Sequence, residues 1–168
     1  MKKVLSLLLM AMFSIGTFAQ SEGDAALGIN LNYGTEVETV GFGLKGQYNI
    51  TDQFRVEAVA DYWLKKNGVM NWDVEANVHY LVKILEPLAV YPIAGGGYGG
   101  FRKDAVDLVN VGPVSVKTKV VTGSNFFAIV GGGVQFNLSD NVFATAELKY
   151  QIQDGSQLVI SAGIAYKF

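Results

Sequence analysis

Gln157-Leu-Val-Ile-Ser-Ala-Gly-Ile-Ala-Tyr-Lys-Phe168 is the stretch that decides the fold of this 168-residue chain. Leu158, Ile160, Ala162, Ile164, Tyr166 and Phe168 share one parity; Ser161, Gly163, Ala165 and Lys167 share the other. A period of two is that of a strand with one apolar face and one small or polar face. The strand runs to the final residue, an aromatic. A soluble domain gains little from a large apolar side chain at a frayed end.

The same alternation recurs upstream, and the reading is an all-β chain of eight strands. Strands are expected at about 25–33, 39–50, 53–64, 71–84, 88–101, 124–138, 142–152 and 157–168. Leu27, Ile29, Leu31 and Tyr33 oppose Ala26, Gly28, Asn30 and Asn32 in the first. Phe54, Val56, Ala58, Ala60, Tyr62 and Leu64 oppose Arg55, Glu57, Val59, Asp61 and Trp63 in the third. The facing of the fifth is open, because Gly95–Gly97, Gly99 and Gly100 erase its pattern. Thr51-Asp52, Leu85-Glu-Pro87, Ser139-Asp-Asn141 and Asp154-Gly155 supply turn chemistry. Lys65–Gly68 reads as a polar loop, and Arg102–Gly123 as the longest connection, a partly ordered hairpin. Connections after strands two, four and six read as tight, those after one, three and five as longer.

The chain contains no Cys, which excludes disulfide staples and thiolate metal sites. Half of it is hydrophobic and 12% aromatic, yet past the N-terminus no run of about 18 apolar residues is available for a membrane helix. Met1–Phe13 combines Lys2 and Lys3 with an apolar run, and Thr17-Phe18-Ala19 places small residues at the positions a signal peptidase reads. The expected division is a signal peptide at 1–19 and a barrel domain at 20–168. Loss of Lys2 and Lys3 would leave 11 basic residues against 15 acidic, a balance that argues against nucleic acid.

The spacing Ser161-x-Gly163-x-x-Tyr166-x-Phe168 resembles the closing-strand signal of bacterial outer-membrane β-barrels. With the leader and the strand pattern, the chain resembles the small eight-stranded OmpA/OmpX-like and "porin family" barrels over nearly its whole mature length. The resemblance implies an antiparallel up-and-down transmembrane β-barrel in the outer membrane of a Gram-negative bacterium, reached by Sec export. It also implies that Ser161, Gly163, Tyr166 and Phe168 form the assembly signal read by the barrel assembly machinery, and that outer-membrane lipid is the surrounding partner. Closure is physically required, since an open edge in lipid leaves backbone groups unpaired. Tyr33, Tyr48, Tyr62, Trp72, Tyr150 and Tyr166 fall near strand ends, where aromatic girdles belong.

If the apolar parity meets lipid, then Lys45, Arg55, Glu57, Asp61, Asp73, Glu75, His79, Glu147 and Lys149 point into the lumen, with Lys83 nearby. A catalytic reading would make His79 a base beside Glu75 or Glu57. The structural reading is an internal charge network, because an eight-stranded barrel is just wide enough for its side chains and buried charges must be paired. Gly95-x-Gly97-x-x-Gly100 formally matches a dinucleotide motif, but no helix follows it. Together with Gly131–Gly133 it reads instead as room for large lumen side chains such as Phe127 or Trp63.

The expectation is therefore a non-enzymatic structural, loop-displaying barrel with a filled lumen, little pore activity and no cofactor or metal. The alternatives are a surface adhesin or ligand binder acting through residues 102–123, a lipid A-modifying enzyme, a small-solute porin, and a soluble barrel with its apolar face turned inward.

Overall fold

The computed structural model describes residues 23–107 and 117–168. The expected leader and its cleavage point, and the hairpin tip around Gly112-Pro113, lie outside the described residues. The strands are β1 (Ala25–Gly34), β2 (Thr39–Asn49), β3 (Phe54–Lys66), β4 (Val69–Tyr80), β5 (Val82–Leu85), β6 (Leu88–Asp107), β7 (Lys117–Asn137), β8 (Val142–Ile152) and β9 (Gln157–Lys167). Each pairs antiparallel with its neighbours in the order β4-β3-β2-β1-β9-β8-β7-β6-β5. β4 and β5 both lie against β6 and are interrupted only at Leu81, so the nine segments make eight crossings. β1 runs against β9 from Ala26↔Lys167 to Gly34↔Val159, and β4 against β6 from Val69↔Lys103 to His79↔Ile93. Among the described residues, each crossing is thus paired on both sides around the barrel wall. This is the closed up-and-down architecture that a hydrocarbon environment demands.

Alternation sorts the side chains. Ile29, Leu31, Phe42, Leu44, Val74, Leu148, Ile160 and Ile164 are exposed on the outside, Leu44 to 68%. The opposite parity of the same strands is buried inside and includes Lys45, Glu57, Glu75, Glu147 and Lys149. The apolar face points outward, which excludes the soluble barrel with an apolar interior. Aromatics form bands at both ends of the outer surface. Trp72, Tyr98 and Phe126 cluster near one rim, with ring centroids 6.0 Å and 4.8 Å apart. Phe54 meets Tyr80 edge-on at 5.1 Å near the other.

The structure settles the facing of the fifth crossing. Tyr91 and Ile93 point inward, 2% and 3% exposed. With Leu81, Phe127 and Ile129 they make an apolar wedge inside the barrel. The wedge explains the glycines. A Cβ at Gly133 would lie 2.6 Å from Tyr91 Cζ, and the Phe127 ring lies over Gly97. Tyr91, rather than Phe127 or Trp63, thus packs over the Gly131–Gly133 run, because the β6–β7 register sets Tyr91 directly opposite Gly133. Trp63 lies against Gly41 instead.

The expected alternation of tight and long connections is not what the chain does. Among the described connections, residues 35–38, 50–53, 138–141 and 153–156 are four-residue links, whereas 67–68 and 86–87 are two-residue links. Lys65 and Lys66 are the end of β3 rather than a loop. Asn67 (φ 51°) and Gly68 (φ 78°) close the hairpin as an Asn-Gly turn with two positive φ angles, whose twist matches that of the strands. The asymmetry of the barrel lies in strand length instead. β6 and β7 have 20 and 21 residues and stay paired out to Asp107↔Lys117. β7 meets β8 only from Ala128 onward. Among the described residues, Lys117–Phe127 therefore has a strand neighbour on one side only.

Because Leu44 lies at mid-strand on the lipid face, Leu44→Arg is expected to lower the unfolding free energy by about 2–4 kcal/mol, measured by urea titration of barrels folded into phospholipid vesicles. Arg at Lys83, which is exposed near a rim, should leave the midpoint unchanged.

Candidate lumen site

The site is the barrel interior, and strand register builds it. Three polar struts cross the lumen at three heights. Near the end holding Ala25 and Phe168, Arg55 on β3 donates from Nη1 to Gln135 Oε1 on β7 at 2.8 Å and from Nε to Asn49 Oδ1 at 2.8 Å. Its guanidinium stands 5.4 Å from the centroid of the Phe143 ring. At mid-height, Lys45 Nζ on β2 is 3.0 Å from Glu147 Oε1 on β8 and 3.5 Å from Glu57 Oε2 on β3. Tyr91 donates to Glu147 Oε1 at 2.9 Å and Gln47 to Glu57 Oε2 at 2.6 Å. Towards the β6–β7 hairpin, Lys149 Nζ on β8 is 2.5 Å from Glu75 Oε2 on β4. Each strut joins strands with two others between them in the ring of eight crossings. The side chains thus span the cross-section rather than hug the wall.

The upper layer is richest in acid. Asn30 and Asn32 donate to Asp61 Oδ1 at 3.2 Å and 2.7 Å. Trp63 Nε1 donates to Asp73 Oδ2 at 2.5 Å. Asn77 and Gln151 donate to the two oxygens of Glu75 at 3.1 Å and 3.0 Å. Asp61, Asp73 and Glu75 each bring one carboxylate oxygen within 4.8 Å of the others, all three residues buried.

His79 is 0% exposed, stacked on Tyr91 at 4.8 Å, with Nε2 3.6 Å from Glu57 Oε1. It faces the lumen wedge rather than lipid. Lys83 is exposed, not a lumen group, because the strand breaks at Leu81 just before it. At the rim, Lys66 Nζ on the last residue of β3 sits 2.7 Å from Oε2 of Glu38, which lies in the link between β1 and β2. That ammonium holds the fully exposed Glu38 carboxyl below its ordinary value.

Of the residues named from sequence, Lys45, Arg55, Glu57, Asp61, Asp73, Glu75, His79, Glu147 and Lys149 all lie inside the barrel. In the closing strand Ser161 is buried, Gly163 faces the lumen beside Thr145 and Lys45, and Tyr166 is 54% exposed outside. Phe168 donates its backbone N–H to Ala25 at 3.0 Å and stacks 6.4 Å from Tyr166. The amides Asn30, Asn32, Gln47, Asn77, Gln135, Gln151 and Gln157 lie inside as well, and join the charged groups through hydrogen bonds that parity alone does not show. For Tyr91 there is no parity signal, since glycines mask the alternation of its strand.

Residues 5–168 match the outer membrane protein beta-barrel domain family. This chain belongs to that family. No curated protein gives a significant match to it. Among solved structures it resembles the N-terminal β-barrel domain of Pseudomonas aeruginosa OprF (TM-score 0.61, 15% identity, 89% of this chain and 100% of that one). It also resembles Ail, the attachment invasion locus protein of Yersinia pestis (TM-score 0.60, 18% identity, 88% and 99%). A major outer membrane protein of Thermus thermophilus shares the fold as well (TM-score 0.70, 12% identity, 87% and 99%). The protein is an outer-membrane β-barrel of a Gram-negative envelope, and at these identities the likeness to each neighbour is one of fold.

The Lys149–Glu75 strut is the most exposed to loss. Lys149→Met removes the one ammonium in direct contact with Glu75 and should cost about 3–5 kcal/mol, since it strands buried carboxylates. Adding Glu75→Gln to that variant should restore more than half of the loss. Urea unfolding of both variants beside the wild type measures this.

Proposed function

We propose that this protein is a structural, loop-displaying barrel of the outer membrane with a lumen that does not conduct. The observation that supports this is the set of three struts, Arg55–Gln135, Lys45–Glu147 and Lys149–Glu75, laid across an interior only eight crossings wide. In a barrel of that size the inward side chains already fill the space. Ions would have to break buried pairs, and parting one member of such a pair is costly. Reading the protein as a non-enzyme rests on the placement of His79. It is sealed between Tyr91 and Glu57, away from the lipid face where a lipid A-modifying base would work. Export through a cleaved leader at 1–19 and recognition of Ser161, Gly163, Tyr166 and Phe168 by the assembly machinery belong to the same proposal.

The test is single-channel recording on the refolded barrel in a planar bilayer. The expected result is insertion without current steps. Stable steps of substantial size would overturn the filled-lumen reading and favour the small-solute porin.

A second reading, binding at the cell surface through residues 102–123, is favoured by one specific feature. The β6–β7 ribbon rises past the barrel wall, and Lys117–Phe127 presents a strand edge with no partner on the β8 side among the described residues. Such an edge can accept an extended segment by strand addition. Replacing residues 104–120 by a short Gly-Ser turn should leave folding intact and abolish adhesion of expressing cells to immobilised extracellular matrix. Unchanged adhesion, or none in the parent, would count against this reading.

A further inference from the structure

The upper lumen layer is short of hydrogen-bond donors, and the direction of its amide chain shows why. Glu75 is a carboxylate and only accepts, so Gln151 must turn its NH2 towards Glu75 Oε1. Its Oε1 then faces Gln157, which must donate from Nε2 at 2.6 Å. The chain ends in Gln157 Oε1, which has no partner, although Gln157 is only 6% exposed. Asp73 repeats the pattern: Oδ2 takes the indole N–H of Trp63, while Oδ1 is buried and bare. Both residues line one cavity of about 420 Å³ at the hairpin end, along with Trp63, Asn71, Asn125 and Gln151.

Charge sharpens the point. Asp61, Asp73 and Glu75 face one ammonium, that of Lys149, in this layer. Water could donate to the bare oxygens, but wherever the carboxyls are ionised it leaves the negative charge in excess of Lys149 unneutralised, which is costly. A divalent cation supplies what the layer lacks. Oxygens on opposite sides of a calcium ion lie about 4.6–5.2 Å apart, from Ca–O distances of 2.3–2.6 Å. The three carboxylate oxygens already lie within 4.8 Å of one another.

We propose that the mouth of the barrel binds a calcium ion from outside the cell. Asp73 Oδ1 is the entry ligand, Asp61 and Glu75 complete the carboxylate set, and the Gln157 carbonyl serves as a neutral oxygen ligand. This goes beyond the non-conducting reading and does not depend on it. A cation held at one mouth is compatible with a lumen closed below it.

Calcium chloride is titrated into the full barrel in neutral phosphatidylcholine vesicles. One arm uses calorimetry. The other follows Trp63 fluorescence in a Trp72→Phe background, where Trp63 is the sole indole and is hydrogen-bonded to Asp73. The expected result is saturable one-to-one binding with an affinity of about 10⁻⁴–10⁻³ M, as in extracellular calcium sites. Calcium should also raise the thermal midpoint, since it binds the folded state. Asp73→Asn keeps the shape and removes one charge. It should weaken binding at least tenfold while raising the calcium-free midpoint, a pair of effects that a purely structural Asp73 would not give. Gln157→Met should weaken binding several-fold without altering charge, and Glu38→Gln, at an exposed carboxylate, should have no effect. Absence of saturable calcium binding would overturn the proposal, as would undiminished binding by Asp73→Asn. Saturation by tetramethylammonium with no response to calcium would also overturn it, assigning the mouth to organic cations.

Discussion

Hydrocarbon offers the peptide group no hydrogen-bond partner, so the pairing of the first strand with the last governs the rest of this molecule. β1 and β9 meet over nine residue pairs, from Ala26↔Lys167 to Gly34↔Val159. Once that seam is closed, every residue in the wall is either outside with lipid or inside with other side chains. The outer surface then has to be apolar, and the register that closes the seam fixes which parity goes inside.

The interior follows from narrowness. Eight crossings make an interior narrow enough for long side chains to reach across. The two halves of the wall meet this differently. β6 and β7 fill their side with Tyr91, Ile93, Phe127 and Ile129, and the glycines of the same two strands leave space for the rings. The other strands send mostly charges and amides inward, alongside Val59, Trp63, Phe143 and Val159, and β7 adds Gln135 to them. Tyr91 belongs to both halves, with its ring on His79 and its hydroxyl on Glu147. Buried ion pairs of this kind stabilise little relative to apolar packing of equal volume, but breaking one partner is costly.

Most charged groups inside are held by one another across the lumen. Among the described residues, the edge of β7 over Lys117–Phe127 has no strand on the β8 side, and Asp73 Oδ1 and Gln157 Oε1 are buried oxygens without a hydrogen-bond partner at the same, hairpin end of the barrel.

The sequence by itself determined the strand count, the eight-crossing barrel and the inward parity of Lys45, Arg55, Glu57, Asp61, Asp73, Glu75, His79, Glu147 and Lys149. The reason is that a strand's two faces are written directly in its period of two. The length of the β6–β7 ribbon was only partly legible, since polar and β-branched residues beyond a membrane wall suit a loop as well as a strand. Three things belonged to the tertiary structure alone. Tyr91 faces Gly133 because the β6–β7 register sets it there, and glycine leaves no parity to read. Lys149 meets Glu75 across the lumen, 74 residues away in sequence, a pairing set by barrel curvature and strand stagger. The bare oxygens of Asp73 and Gln157 arise because a chain of amides takes its direction from the carboxylate at its head, and only the assembled lumen lines that chain up.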